Sequence, residues 1–446
     1  MRAASRVSVP PRVAQVSAAG PQVQSALAPA GSNLTVMLLT IGPSDVVWER
    51  FGHNAIWIRD ASRGLDVTYN WGTFDFGQPN FLWRFFTGDT RYWLAAKSAQ
   101  ADVAGYVQEN RSVWVQELNL TPAQRLSVLR FVEWNAREEN RYYRYDYYRD
   151  NCSTRVRDVI DQATGGALRR ATIARGTGTT YRWHTRRLTA EDPFVYTGIQ
   201  LALGRPADRE ISAWEESFLP VRLMQHVRAV RVPGPGGGTL PLVQSERQLF
   251  AANRAAEATS PPSYVAAYLA GGLALGGMLL LLARGAARGQ RGAAAGFGML
   301  AGLWTLLSGL FGTAVLLAGT VTPHVFMGRN LNLAAYSPLS LMLLALTLAA
   351  VGGRSRAVRQ RWAGRAERVA AFGAALSVAG WLGALTVGQH SGDLFALALP
   401  VSLALWLALR TLHRARVQPS REAVAHTAGS ARSLRSGRSG ATTGGA

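Results

Sequence analysis

The chain has 446 residues, room for more than one domain, and its 48% apolar content is unevenly distributed. One cysteine, Cys152, excludes an intrachain disulfide, and the formal charge of +21 is carried by arginines beside a single lysine, Lys97. Much of that excess lies in loops between apolar stretches and in the tail, which argues for membrane topology and against a nucleic-acid partner. No metal-ligand spacing, phosphate loop or dinucleotide fingerprint occurs, so no metal or cofactor is expected.

Residues 1–31 are rich in Ala, Ser, Pro and Val, with Arg2, Arg6 and Arg12. Small residues between Ser25 and Ala30 resemble a cleavage region, but no continuous apolar core precedes them, so the segment reads as an atypical leader. Residues 32–230 read as one domain of mixed helices and strands. Residues 35–41 form an apolar run that predicts a buried strand stopped by Gly42-Pro43. Residues 54–59 and 65–70 predict a hairpin about Arg63-Gly64. The alternation breaks at Trp71-Gly72, and residues 80–86 then predict a short amphipathic helix. A strand is expected over 114–120, followed by a helix that opens at Thr121-Pro122 and runs to about Asn140. The helix after Cys152 is expected to end at Gly165-Gly166, and residues 176–180 read as a mobile loop. Residues 199–208 read as a helix and its stop, residues 212–225 as a helix interrupted at Pro220, and residues 231–263 as a linker, within which 232–238 read as a hairpin turn or linker.

Five stretches, near 264–283, 296–318, 333–351, 369–387 and 394–412, each approach the roughly 20 apolar residues a bilayer requires. Arg284, Arg288 and Arg291 follow the first, and six arginines from Arg354 to Arg368 follow the third. The loops 322–332 and 388–393 carry only Arg329. The positive-inside rule then sets the arginine-rich loops and the C-terminus in the cytoplasm and the N-terminal domain outside, in the cytoplasmic (inner) membrane. Residues 413–446 read as a disordered basic tail.

Cys152 stands in a polar turn entering a helix, and an N-cap at Asp150 or Asn151 would put its sulfur in the first turn. There the helix dipole and unpaired N–H groups favour a thiolate. His53, at the start of a strand, supplies the imidazole that nucleophilic acyl transfer needs, and Asn70 on the neighbouring strand is the candidate to orient it. Arg155 and Arg157 would lower the thiol pKa or meet a lipid phosphate, and His324 and Arg329, on an outer loop, would help seat a head group. Trp71, Phe74, Phe76, Trp83, Phe85 and Phe86 face lipid or fill the core.

Histidine before cysteine reverses the papain order and resembles the circularly permuted papain-like hydrolases and acyltransferases. The runs Phe51-Gly52-His53-Asn54-Ala55-Ile56, Tyr69-Asn70-Trp71-Gly72-Thr73-Phe74-Asp75-Phe76 and Phe86-Thr87-Gly88-Asp89, with residues 145–158, together resemble the Lnb-type N-terminal periplasmic domain. Leu203-Gly204-Arg205-Pro206-Ala207-Asp208 and Glu216-Ser217-Phe218-Leu219-Pro220 fit it too, so the likeness covers roughly 35–225. It implies an α+β permuted papain-like domain followed by an all-α multi-pass transmembrane domain. It also implies a cysteine acyltransferase that takes a fatty-acyl chain from a membrane phospholipid or lipoprotein donor. The chain would pass through a Cys152 thioester to the N-terminal amine of a lipoprotein acceptor. A thiol hydrolase or amidase of lipids or peptidoglycan, and a non-catalytic maturation chaperone for exported proteins, are the alternative readings.

Overall fold

Strand β1 (Thr35–Ile41) is apolar on both faces because helices cover both sides of it. It pairs antiparallel with β2 (His53–Asp60) on one side and β5 (Val113–Leu118) on the other. The complete antiparallel sheet has seven strands in the order β11-β5-β1-β2-β3-β4-β6, with β3 (Leu65–Thr73), β4 (Arg91–Ser98), β6 (Tyr142–Arg144) and β11 (Val243–Phe250). A left-handed Gly64, at φ +64, closes the β2–β3 turn as the sequence predicts. The computed structural model describes residues 29–417 apart from 90, 235 and 236, so most of the atypical leader and of the basic tail lies outside the described residues.

Four helices position the site. α1 (Phe81–Thr87) lies beyond the end of β3, and α2 (Ala99–Gln108) covers one sheet face, where Val103 and Tyr106 pack on Leu39, Ile41 and Ala55. α3 (Pro122–Asn135) and α4 (Cys152–Ala163) cover the other face, burying Leu129, Val132, Val156 and Ile160 against Leu38, Ile56 and Trp71. Residues 91–108 carry neither clean alternation nor a strong apolar stripe, so β4 and α2 were not legible from the sequence.

Two other expectations are corrected. The run 176–180 is no mobile loop but β7 (Gly176–Thr180), paired with β8 (Glu210–Ser212) and held by Thr177 Oγ1 donating to the Ile211 carbonyl at 2.8 Å. Of the linker 231–263, β9 (Arg231–Pro233) and β10 (Thr239–Pro241) form a hairpin, as the hairpin-turn reading of 232–238 allows, but β11 is the edge of the main sheet and no linker. β11 has a polar sequence because six of its eight residues are exposed, and its ladder to β5 supplies what side-chain burial does not. Between the sheet and the bundle run α5 (Ala167–Thr172), α6 (Tyr181–Thr189), α7 (Pro193–Ala202), α8 (Ala213–Glu216) and α9 (Pro220–Ala229).

Among the described residues five segments are long and apolar enough to cross a membrane: α10 (Val265–Ala287), α11 (Arg291–Val321), the span Leu331–Gly352 that ends in α12 (Leu339–Gly352), α13 (Arg356–Val387) and α14 (Gly392–Val417). α10 and α14 pack closely because Gly272 and Gly276 face the backbone of Leu397 and Pro400, where a Cβ would collide. α13 is longer than its apolar stretch, since the arginine-rich run from Arg356 to Arg368 is already helical.

The two arginine-poor loops pack on the N-terminal domain. Phe326, 1% exposed, enters a socket of Tyr148, Tyr181 and Phe218. Gly204 N–H donates to the Phe326 carbonyl at 2.7 Å, and Asn330 Nδ2 donates to the Leu201 carbonyl at 2.8 Å. Asn332 Nδ2 reaches the Gln200 carbonyl at 2.9 Å, and Asp208, buried with Arg182, accepts the His390 backbone N–H at 3.1 Å. Domain and arginine-poor loops therefore share one end of the bundle. Emptying the socket with Phe326→Ala should cost roughly 3–5 kcal/mol, the usual penalty for truncating a buried phenylalanine. It should lower the melting temperature of the detergent-solubilised chain and open the segment 322–332 to protease; an unchanged melt would show that the socket holds nothing.

Candidate active site

The helix that carries the cysteine starts where Asn151, not Asp150, caps it. Asn151 Oδ1 accepts the Thr154 N–H at 2.9 Å, and Thr154 Oγ1 accepts the Asn151 N–H at 2.8 Å. Asn151 Nδ2 also donates to the carbonyls of Tyr147 and Phe218, at 3.1 and 2.9 Å, so the cap ties the preceding loop down. Cys152 is then the first helical residue and only 8% exposed. Asp150 instead binds the Arg155 guanidinium.

The sheet meets the cysteine at two points. β3 shifts register against β4 between Asn70 and Thr73, and inside that bulge Gly72 takes φ +92. A Cβ there would lie 3.3 Å from Cys152 Cβ, so only glycine lets the thiol helix come this close. On β2, Asn54 Oδ1 accepts the Ser153 hydroxyl at 2.8 Å, while Asn54 Nδ2 donates to Thr40 Oγ1 at 2.8 Å and to the Leu39 carbonyl at 3.2 Å. The Asn54 backbone N–H reaches the Cys152 sulfur. The residue after His53 is thus clamped to the residue after Cys152.

His53 is fixed from the other face of the sheet. Its Nε2 lies 3.0 Å from Asn70 Oδ1. Asn70 Nδ2 donates to Asp102 Oδ2 at 2.9 Å and to Thr68 Oγ1 at 3.2 Å, and Lys97 Nζ donates to Asp102 Oδ1 at 3.2 Å. A carboxylate only accepts, so the Asn70 amide nitrogen must face Asp102 and its oxygen must face the imidazole. The proton of neutral His53 then sits on Nε2, leaving Nδ1 as the basic nitrogen. Tyr106 packs beside the ring with centroids 6.2 Å apart. Thiol and imidazole make no direct hydrogen bond and are joined through the Asn54 peptide.

Burial dominates the electrostatics. It pushes His53 down to about 4 against the opposing hydrogen bond that the ring donates to Asn70, and Arg111 lowers it further. Burial likewise raises the Cys152 thiol, opposed by the backbone N–H groups of Asn54 and Ser153, by the Arg111 charge and by its own N–H. The sequence predicts a thiolate at the helix start; the closed surroundings outweigh the helix end. The resting pair is a neutral thiol and a neutral imidazole.

The substrate-binding candidates divide. The Arg155 guanidinium lies 4.2 Å over the Tyr143 ring and is neutralised by Asp150, while Arg157 packs 3.9 Å over Trp214. His324 stacks on Tyr147 at 6.3 Å, on the loop leading to the cysteine. Arg329 is exposed with φ +49, and its carbonyl accepts the Arg205 N–H at 3.4 Å, so it serves the docking of the loop. Trp71 is core, its Nε1 donating to Asn135 Oδ1 at 2.9 Å; the Phe85 side chain is outside what is described. Sequence reasoning missed Asn54, Ser153 and Asp102. The first two were signalled only by standing next to His53 and Cys152, and Asp102 lies on the helix that was not read.

With both groups neutral at rest, iodoacetamide should alkylate Cys152 at pH 7 more slowly than free cysteine, and the rate should still be climbing above pH 9. Fast alkylation at neutral pH, followed by mass spectrometry of the Cys152 peptide, would show a resting thiolate instead.

Comparison with curated proteins gives no match, and comparison with solved structures gives none. Residues 27–190 match the family model of the Lnb N-terminal periplasmic domain, a span that holds His53, Asn70, Asp102 and Cys152. Residues 27–190 are therefore similar to an Lnb N-terminal periplasmic domain, and a membrane region of five candidate spanning segments follows in the chain.

Proposed function

We propose that this protein is a membrane-anchored cysteine acyltransferase with a permuted papain-like domain, which moves a fatty-acyl chain to the N-terminal amine of lipoproteins. The observation that carries the reading is the Asn54–Ser153 clamp, which ties the strand of a tautomer-fixed His53 to the capped helix of Cys152. The docking of this domain onto the bundle supports a lipid substrate. The arginine-rich loops support a cytoplasmic-membrane location with the C-terminus in the cytoplasm.

His53 Nδ1 takes the thiol proton as Cys152 Sγ attacks the ester carbonyl of a phospholipid or lipoprotein donor. The carbonyl becomes a tetrahedral oxyanion, met by backbone N–H groups at the start of α4 and by that of Asn54. The C–O bond then breaks, the departing alkoxide takes the proton from Nδ1, and an acyl-thioester remains. In the second half the lipoprotein amine attacks the thioester, His53 accepts its proton, and that proton returns to sulfur as the C–S bond breaks. Neutral resting groups suit a site that must admit an acyl chain, since no charge has to be desolvated before the chemistry starts. Arg155, over the Tyr143 ring, and His324, on the Tyr147 ring, are the side chains we assign to meet a polar head group.

Cys152→Ala should abolish thioester formation, and lipoprotein N-terminal peptides from a deletion strain carrying it should lack the N-acyl chain by mass spectrometry. Full N-acylation with the variant would refute the reading, and free fatty acid released without an acceptor would make the protein a hydrolase. His53→Ala should slow acylation by roughly 10²–10⁴-fold. Because burial holds His53 near 4, acylation by the parent protein should keep its acid limb near pH 4, not near the ordinary 6.5. A limb near 6.5 would place the base in solvent.

A further inference from the structure

An aromatic surface runs from solvent to the thiol. Trp48 and Phe76 are 56% and 54% exposed, and their rings are 5.0 Å apart between centroids. Phe76 meets Phe74 at 4.8 Å and Phe81 at 5.0 Å. The rings then lead inward, from Phe74 on Tyr92 at 5.0 Å to Tyr92 stacked on Tyr145 at 4.3 Å. Tyr145 and Cys152 both border Gly72, where a Cβ would stand 3.8 and 3.3 Å from the two, so the innermost ring and the cysteine lie on either side of this glycine. Single exposed aromatics are ordinary, but a contiguous set that reaches a buried nucleophile is not.

The outer end of this surface lies at the membrane boundary. α1 carries Phe81 and the 66% exposed Trp83, and the Gly88 that follows it packs against Pro323 and His324. Pro323 comes two residues after Val321, where α11 ends. Tryptophan at that level sits in the interfacial zone of a bilayer. Beside it, Arg84 and Arg144 share one carboxylate, Asp89, each at 3.3 Å, so one positive charge is left over at the mouth. That charge complements a phosphate head group whose acyl chain follows the rings.

We propose that Trp48, Phe74, Phe76, Phe81 and Trp83 form the wall along which one acyl chain of a bilayer phospholipid leaves the outer leaflet and reaches Cys152. The assignment rests on the acyltransferase reading for its chemistry, and its geometry can be tested without it. Full-length protein with Cys152→Ala is reconstituted in vesicles containing a phospholipid that bears a diazirine at the end of one acyl chain. Illumination should label peptides covering residues 74–86 and 142–150 as well as the spanning helices. Label confined to residues 265–417 overturns the wall, as does capture at 74–86 of a photoreactive lipoprotein N-terminal peptide in place of the phospholipid.

The second arm compares acylation of Cys152 by palmitoyl phospholipid vesicles and by soluble p-nitrophenyl butyrate. The triple variant Trp48→Ala, Phe76→Ala, Trp83→Ala alters exposed side chains only. It should lower the phospholipid rate at least about tenfold relative to the butyrate rate, a difference of about 1.4 kcal/mol. An unchanged ratio overturns the wall while leaving the acyltransferase reading intact. Failure of the parent protein to form a thioester with either donor would defeat that reading, and the labelling result then decides the wall alone.

Discussion

The hydroxyl of Ser153 lies 2.8 Å from the side-chain oxygen of Asn54 and 2.7 Å from the Ser217 carbonyl, and both side chains are fully buried. A buried polar group left without its partner costs about 1–3 kcal/mol, so neither residue can drift from the other cheaply. Because Ser153 follows Cys152 and Asn54 follows His53, this contact fixes the thiol helix to the imidazole strand. Asn54 reaches on to Thr40, which extends the same constraint into the centre of the sheet. Gly72 completes it from β3 by removing the side chain that would hold the helix away.

The chemistry depends on how this junction is closed. Cys152 and His53 lie where desolvation outweighs every favourable charge, so the thiol is raised and the imidazole lowered. The Asp102–Asn70 pair compensates by orientation instead of charge transfer: it leaves the imidazole neutral but decides which nitrogen holds the proton. Lys97 Nζ lies 3.2 Å from Asp102 Oδ1, so a positive charge offsets the carboxylate's beside the ring. A dry, neutral pair of this kind is compatible with an apolar substrate, whereas a preformed thiolate–imidazolium pair would call for water or other polar groups around it.

The membrane region is more than a tether. Phe326, from the loop between α11 and α12, is buried against Tyr148, and Tyr148 belongs to the loop that Asn151 caps into α4. The Tyr147 ring stacks on His324 of the same loop. The position of the cysteine loop is therefore shared between the sheet and the bundle, and the aromatic surface beside α1 opens where the two meet.

The sequence alone determined what local physics can encode. The cap at 150–151, the helix it opens, the β2–β3 hairpin and the five apolar stretches each follow from spacing within a few residues. His53, Asn70 and Cys152 could be singled out because imidazole, amide and thiol are chemically conspicuous against apolar surroundings. Residues 91–108 and 243–250 could not be read, since the ladder of a paired strand is made by a neighbour distant in sequence. Asp102 was invisible for the same reason: only the packing of α2 on the sheet brings it to Asn70. The protonation of the thiol was also a tertiary decision. A helix start favours the thiolate whatever surrounds it, but how much water the sulfur loses depends on Gly72, Tyr143, Tyr145 and the sheet closing over it.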